Sequence, residues 1–352
     1  YLLPVRLARA GPTTKADCLN AIYRATLDFE RANGLRFAAY VLHDAEDIAD
    51  PLELRVFDHL IGRKDKDMVQ LPVAPLPRAW HQWVGGHYCD EFAESHAKDL
   101  VVRECLTGGV PSAGVGCAFS RRALRLAGQQ QNGQPFNAAS VTEDYELALR
   151  LRHLGLKSAF VRINGSPARR HPLATREFFP ARFGDAVRQK SRWLLGIALQ
   201  GWENIGWRGG FWQRYMLARD RKGLFTSHIN VLAYFIAVNI ILLFLADWLL
   251  AGFPRFPGFV EAGSPTACLL TANLFFLTNR VFQRMLCVGR LYGLGQALLS
   301  VPRLAVANVV NFAAALRAIR LYCRARRQGR PLRWDKTAHE MPAAPARHGA
   351  GF

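Results

Sequence analysis

The sequence predicts an α/β domain over residues 1–200, an interfacial linker over 201–228, a membrane region over 229–322 and a basic, disordered tail over 323–352. Three observations carry this reading. The first 200 residues alternate short apolar runs with segments whose apolar residues recur every three or four positions. The stretch from Ile229 to Tyr322 is far richer in Leu, Val, Ala and Phe than anything before it. A chain of 352 residues, 50% of them apolar, also exceeds the usual size of one domain while supplying ample core.

Thr13 or Thr14 caps a helix through Lys15, Leu19, Ile22, Ala25 and Phe29, which ends before Asn33-Gly34. Phe37 to Leu42 then reads as a buried parallel strand that feeds His43-Asp-Ala-Glu-Asp47, so an acidic cluster sits at a strand's carboxyl end. Asp50-Pro51 opens a helix with Leu54, Phe57, Leu60 and Ile61 inward. Met68 to Val73 is the next strand, and Trp80 to Glu94 a helix lying over the active face. Gly108-Gly109 and Pro111 to Gly116 break regular structure and let backbone approach a ligand. Thr142-Glu143-Asp144 precedes a helix with Leu147, Leu151 and Leu154 on one face, stopped by Gly155, and Lys157 to Ile163 is a further strand. The alternation predicts a mostly parallel sheet that binds ligands beyond the carboxyl ends of its strands.

Ile229 to Leu250 is long and apolar enough to span the ~30 Å hydrocarbon layer. Thr266 to Leu286 is expected to span it again. Arg280, Arg284 and Arg290 place its far end in the cytoplasm, which leaves the Pro/Gly-rich loop 252–265 outside and the head inside. Leu294 to Leu316 carries Pro302-Arg303 in its middle and precedes the basic run Arg317 to Arg330. Positive charge at both ends favours an amphipathic or re-entrant segment at the cytoplasmic interface over a third span.

The net charge of +19 admits nucleic acid, anionic lipid or a phosphorylated substrate as partner. Nucleic acid is the weakest of these. No zinc-finger spacing, helix-turn-helix signature or basic-aromatic tract precedes the membrane region, and much of the excess flanks the apolar segments, as positive-inside topology requires. The cysteines at 18, 89, 105, 117, 268, 287 and 323 stand singly, so neither a disulfide framework nor a zinc site is expected. The opening residues read as the middle of a domain, which predicts further chain before Tyr1.

Three clusters are candidates for chemistry. Asp44 and Glu46, in a loop after a strand, offer hard oxygen ligands for Mg²⁺ or Mn²⁺ bridging a diphosphate, the competing reading being an ordinary solvated acidic loop. Asp47 and Asp50 read as capping residues. Asp144, near a helix N-terminus, is either a proton acceptor or a cap. Gln189, Arg192 and Trp193 share a helix face through three- and four-residue spacing. The guanidinium fork can hold a phosphate and the indole can stack on a sugar, whereas Arg and Trp before a membrane also serve as interfacial anchors.

Taken in this order the clusters resemble the processive branch of family 2 glycosyltransferases, the cellulose-synthase-like enzymes with a GT-A fold, whose signature is an early Asp, then DxD, TED and QxxRW. Asp44-Ala-Glu46 stands for DxD, Thr142-Glu143-Asp144 for TED and Gln189 to Trp193 for QxxRW. A closer likeness, over most of residues 11–320, is to the bacteriophage adsorption protein B group of inner-membrane glycosyltransferases, in GPTTKADCLN, HDAED, VPSAGVG, VTEDYELALRLR, VRQKSRW and RDRKG. Two departures stand out: Glu46 replaces the second Asp of DxD, and the strand with the early nucleotide-binding Asp is absent. The fold expected from the likeness is therefore a partial GT-A domain followed by transmembrane and interfacial helices.

The resemblance implies that Asp44 contacts the nucleotide, that Glu46 with Asp44 holds the metal, and that Lys15 touches the diphosphate. It further implies that Asp144 deprotonates the acceptor, that Arg192 stabilises the departing diphosphate, and that Glu143, Gln189 and Trp193 meet the acceptor. The implied reaction is inverting transfer from a UDP-sugar to a growing glycan at the cytoplasmic face of the bacterial inner membrane. Exopolysaccharide export under cyclic di-GMP control, with room for an outer-membrane export partner, goes with the group. Arg324 to Arg327 is better explained by lipid phosphates than as a cyclic di-GMP motif. The alternative is a catalytically silent membrane scaffold or phage-entry component, against which the intact second and third motifs count.

Overall fold

The computed structural model describes residues 2–8, 10–163, 172–250 and 260–332. The tail from 333 and positions 252–259 of the Pro/Gly-rich loop, for which the sequence sets expectations, lie outside the described residues. Helix α1 (Lys15–Asn33) starts at a capping box: Thr14 Oγ1 accepts from the Asp17 N–H at 3.1 Å, and the Thr14 N–H donates to Asp17 at 2.8 Å. It ends at Gly34, whose φ of 63° a side chain would resist. Next come β1 (Ala39–Leu42), α2 (Glu53–Phe57) continued by a π-helical turn to Arg63, and β2 (Met68–Gln70). Helix α3 (Trp83–Glu94) passes through a second π-helical turn into α4 (Leu100–Thr107), followed by β3 (Cys117–Ser120), α5 (Arg121–Gln129), α6 (Glu143–His153) and β4 (Ser158–Phe160). Helix α7 (Phe183–Leu194) runs through a third such turn into α8 (Gly201–Ile205), and α9 (Phe211–Arg221), α10 (Gly223–Leu249), α11 (Pro265–Tyr292) and α12 (Leu294–Arg327) complete the chain.

The sheet is mixed, not mostly parallel. Its order is β1-β3-β2-β4; only β2 and β4 run parallel, and β3 is antiparallel to both of its neighbours. The Phe37–Leu42 segment, expected to be a buried parallel strand, is a half-buried edge strand paired antiparallel to β3. Apolar composition specifies burial but not direction. Here the loop 108–116 turns the chain so that β3 enters the sheet from the opposite end. Alternation then sorts the strand residues onto two faces. Met68, Cys117 and Phe119 face α1, α5 and α6, whereas Val69 and Ala118 face Phe57 and Ile61.

Leu54, expected inward, is 64% exposed. Glu53 takes the inward position because its Oε1 bonds His43 Nε2 at 2.8 Å, and Glu53, Phe57 and Ile61 form the buried stripe.

Two helices are long and apolar enough to cross a membrane among the described residues, α10 and α12. The second expected span lies in α11, where Asn273, Asn279 and Arg280 dilute the apolar run. The first half of α11 is nonetheless exposed, with Leu269 at 67% and Phe275 at 66%. Its second half docks on the head: Arg284 meets Glu94 at 3.1 Å and Tyr292 donates to the Pro75 carbonyl at 2.7 Å.

Helix α12 runs along the head. Its buried stripe includes Ala297, Ser300, Arg303, Ala307, Val310, Ala314 and Ala318. Arg303 pairs with Asp90 of α3 at 3.0 Å, Lys190 of α7 donates to Asn311 at 2.9 Å, and Ser191 to the Ala314 carbonyl at 3.3 Å. Gly86 of α3 leaves the space that the Arg303 guanidinium occupies.

Candidate active site

The first turn of α1, fixed by its cap, presents Lys15, whose ammonium pairs with Asp44 Oδ1 beyond the end of β1. The acidic loop is built by its other carboxylates. Asp47 accepts from the Asp44 N–H at 2.9 Å and meets His43 Nδ1 at 3.0 Å, while Asp50 accepts from the Leu52 N–H at 2.9 Å. These bonds hold the loop against α2, and hydrogen bonding to Asp47, opposed by burial, raises the pKa of His43.

Asp144 lies in the first turn of α6, where Oδ1 accepts from the Tyr145 N–H at 2.8 Å. The glycine-rich loop after α4 is shaped by the buried Gln70. Its Oε1 accepts from the Ala113 N–H at 2.8 Å and its Nε2 donates to the Val115 carbonyl at 2.9 Å. Gly114 (φ 77°) abuts the Asp144 carboxylate so closely that a Cβ there would collide with it, which is the close approach the sequence requires of this glycine.

Burial raises the pKa of Asp144, with Lys15 and Arg192 pulling it back down, and burial together with the Asp144 charge raises that of Glu143. Burial works against the Lys15 charge, but Asp44, Asp144 and Glu143 outweigh it and raise its pKa. Lys15, Asp44, Glu143, Asp144 and Arg192 therefore act on one another as a single electrostatic site, although α1, the acidic loop, α6 and α7 are far apart in sequence. A partly accessible carboxylate with a raised pKa, flanked by two cations, can take a proton from a hydroxyl while an anionic leaving group is neutralised beside it.

The other expected site residues sit around this centre. Gln189 is 3% exposed, and its buried Oε1 has no partner among the described residues. Trp193 is half-buried and packs its ring 6.2 Å from Tyr88 and 6.3 Å from Phe179, both near-perpendicular. It is thus held rigidly by an aromatic box that Val310 of α12 helps to close.

Glu46 lies further out in the acidic loop and acts electrostatically on Glu177, a residue the sequence analysis missed. Glu177 is 6% exposed, and burial together with Asp47, Asp44 and Glu46 pushes its pKa up to about 8. It arrives there because the segment 173–177 is clasped between 72–76 and Ile48, with Ala74 N–H to Thr175 O at 2.9 Å and Ile48 N–H to Arg176 O at 2.8 Å. An acid next to the apolar Phe178-Phe179-Pro180 was the only signal.

Among the described residues no three metal-ligating side chains converge as a closed cation site. Asp44 and Glu46 offer two carboxylates in a zone already crowded with negative charge. That fits an open site in which Mg²⁺ or Mn²⁺ would keep waters and draw its remaining oxygens from a substrate phosphate.

Residues 40–250, which include the acidic loop, Asp144 and the Gln189–Trp193 helix, match the family model described as glycosyl transferase family group 2. The chain belongs to that family. Similar curated proteins are bacteriophage adsorption protein B of Escherichia coli K12 and bacteriophage N4 adsorption protein B of Escherichia coli O157:H7. Each is 40% identical over 352 residues, covering 96% of this chain and 47% of the relative. The chain thus spans about half the length of the curated relatives it matches. In this glycosyltransferase domain the base candidate Asp144 is within electrostatic reach of Lys15 and Arg192, and Glu177 within reach of the acidic loop and Lys15.

Proposed function

We propose that the chain carries the catalytic centre of an inverting glycosyltransferase that moves a sugar from a UDP-sugar to a growing glycan at the cytoplasmic face of the bacterial inner membrane. The observation that supports it most is Asp144 in the first turn of α6 against Gly114, its carboxyl pKa raised by burial and acted on by the charges of Lys15 and Arg192. Asp144 takes the proton of the acceptor hydroxyl, the freed oxygen attacks the anomeric carbon in line, and the bond to the UDP oxygen breaks. Lys15 and Arg192 receive the charge that develops on the diphosphate. The indole of Trp193, rigid in its aromatic box, forms the floor for the acceptor, with Glu143 and Gln189 beside it. Mg²⁺ or Mn²⁺ on Asp44 and Glu46 supplies further neutralisation of the diphosphate when bound. The product of such an enzyme is an exopolysaccharide. Control by cyclic di-GMP, an outer-membrane export partner and a link to phage adsorption belong to the same reading, the last supported by the names of the relatives.

The test is turnover. Membranes carrying the full-length protein are expected to release UDP from at least one UDP-sugar with Mn²⁺ or Mg²⁺, and release from none overturns the reading. The relatives' names also support a second reading, a catalytically silent phage-entry component. Phage sensitivity that survives Asp44→Ala and Asp144→Asn with glycan unchanged favours it.

A pH dependence follows from the electrostatics. The base works only when ionised, so turnover rises with pH through a raised Asp144 pKa. Lys15 lowers that pKa, so Lys15→Gln is expected to move the rising limb of the kcat/KM profile to higher pH. A limb that stays in place, or moves to lower pH, contradicts the assignment.

In the membrane, α10 leaves the cytoplasmic face, the exposed first half of α11 returns, and α12 lies on the head. The contacts of α12 with the head extend from Arg303, paired with Asp90, to Arg326, paired with Glu203, a length of roughly 35 Å at 1.5 Å per residue, which leaves too little helix for a crossing. Cys323, exposed near the end of α12, is therefore expected to react with a membrane-impermeant maleimide only after the inner membrane is opened. Labelling from the periplasm in sealed cells contradicts this topology.

A further inference from the structure

Helix α9 exposes large aromatic side chains on the face turned away from the head. Its outer face is aromatic, with Phe211 73%, Trp212 47% and Tyr215 43% exposed, while Met216 and Leu217 face inward. Immediately behind it a cleft has an apolar floor that includes Val110 and Leu149 and a basic rim of Arg103, Arg152, His153 and Arg208. Arg103 is committed to Asp220 at 2.8 Å. Arg152 has a buried Nε without a partner, and Arg208 is exposed without an ion pair among the described residues. The C-terminal dipole of α6 accounts for Arg152 and His153, but not for Arg208, which comes from the loop before α9.

We propose that this cleft binds the phosphate of an anionic phospholipid headgroup, with Phe211, Trp212 and Tyr215 resting in the interfacial layer of the bilayer that α10 enters. Three features select that occupant. The cleft is small, about 30 Å³, and opens to the surface, as suits a compact group reaching it from outside. Guanidinium groups match phosphate oxygens in geometry and charge. Exposed aromatic rings on a helix that ends one residue before the apolar span belong at headgroup level, where anionic lipids of the cytoplasmic leaflet meet basic side chains. The inference rests on α10 lying in the bilayer and not on the glycosyltransferase chemistry.

The test uses full-length protein in nanodiscs of equal parts phosphatidylcholine and phosphatidylglycerol, followed by detergent extraction and native mass spectrometry of the lipid retained. Wild type and Arg24→Gln, an exposed arginine on α1, are expected to retain phosphatidylglycerol in preference to phosphatidylcholine. Arg152→Gln/Arg208→Gln is expected to lose that preference. Arg208→Glu, at an exposed position with no folding burden, is expected to lose it as well. Unchanged retention in Arg208→Glu overturns the proposal. Equal loss in Arg24→Gln overturns it in favour of bulk charge, and displacement of the lipid by inorganic phosphate alone overturns it in favour of a free-anion site. Because lipid is read directly, failure here is separate from failure of UDP release.

Discussion

Asp144→Asn is expected to lower UDP release by a factor of about 10²–10⁴, the usual contribution of a positioned general base. Asn is nearly isosteric and can still accept the 2.8 Å bond from the Tyr145 N–H, so the first turn of α6 keeps its shape while the proton acceptor is lost. Burial disfavours the Asp144 charge in the folded protein, as its raised pKa shows, so removing that charge does not cost electrostatic stability and cannot explain a loss of that size through unfolding. The Lys15–Asp44 pair is untouched, so donor binding should persist and the effect should fall on kcat. Turnover within a few-fold of wild type, measured at equal protein in membranes, removes Asp144 from the mechanism and with it the main support for the proposed chemistry.

Well above pH 7, Arg303→Leu is expected to destabilise the docking of α12 by about 3–5 kcal/mol, the cost of leaving a buried charge without its partner. Arg303 and Asp90 are 3% and 0% exposed on their side chains, and neither Asp90 oxygen makes a hydrogen bond to anything else in the described structure. Burial raises the Asp90 pKa to about 7 even with Arg303 nearby. A carboxyl with a raised folded pKa gives stability that is present at low pH and lost as pH rises through that value. The electrostatic part of the loss in Arg303→Leu is therefore small well below pH 7 and grows above about 7. The double variant Arg303→Leu/Asp90→Leu should recover most of it, since an apolar pair replaces a buried ionic one at little cost. Thermal unfolding of the detergent-solubilised protein at two pH values reads both effects. An equal loss at low and high pH, or no recovery in the double variant, shows that the pair does not hold α12 through charge.

The capping signals at Thr14, the helix from Thr142 to Gly155 and the apolar run of α10 were readable because each depends on local spacing alone. The direction of β3 was not, since the fully buried Cys117–Ser120 segment looks the same whichever way it runs. Leu54 is exposed for a related reason: apolar periodicity assigns it the inward position that His43 instead confers on Glu53. Glu177 was invisible because only the clasp between 72–76 and Ile48 carries it to the acidic loop.

By itself the sequence determined the order of the three chemical clusters, their residue types and the division into a head and a membrane region, because motif spacing and apolar periodicity are properties of neighbouring residues. Only the tertiary structure decided that Lys15, Asp44, Asp144 and Arg192 share one electrostatic site, and that α12 lies on the head through Arg303, Asn311 and Ala314. Those facts depend on pairings between residues tens to hundreds of positions apart, and no local pattern encodes which buried charge will meet which.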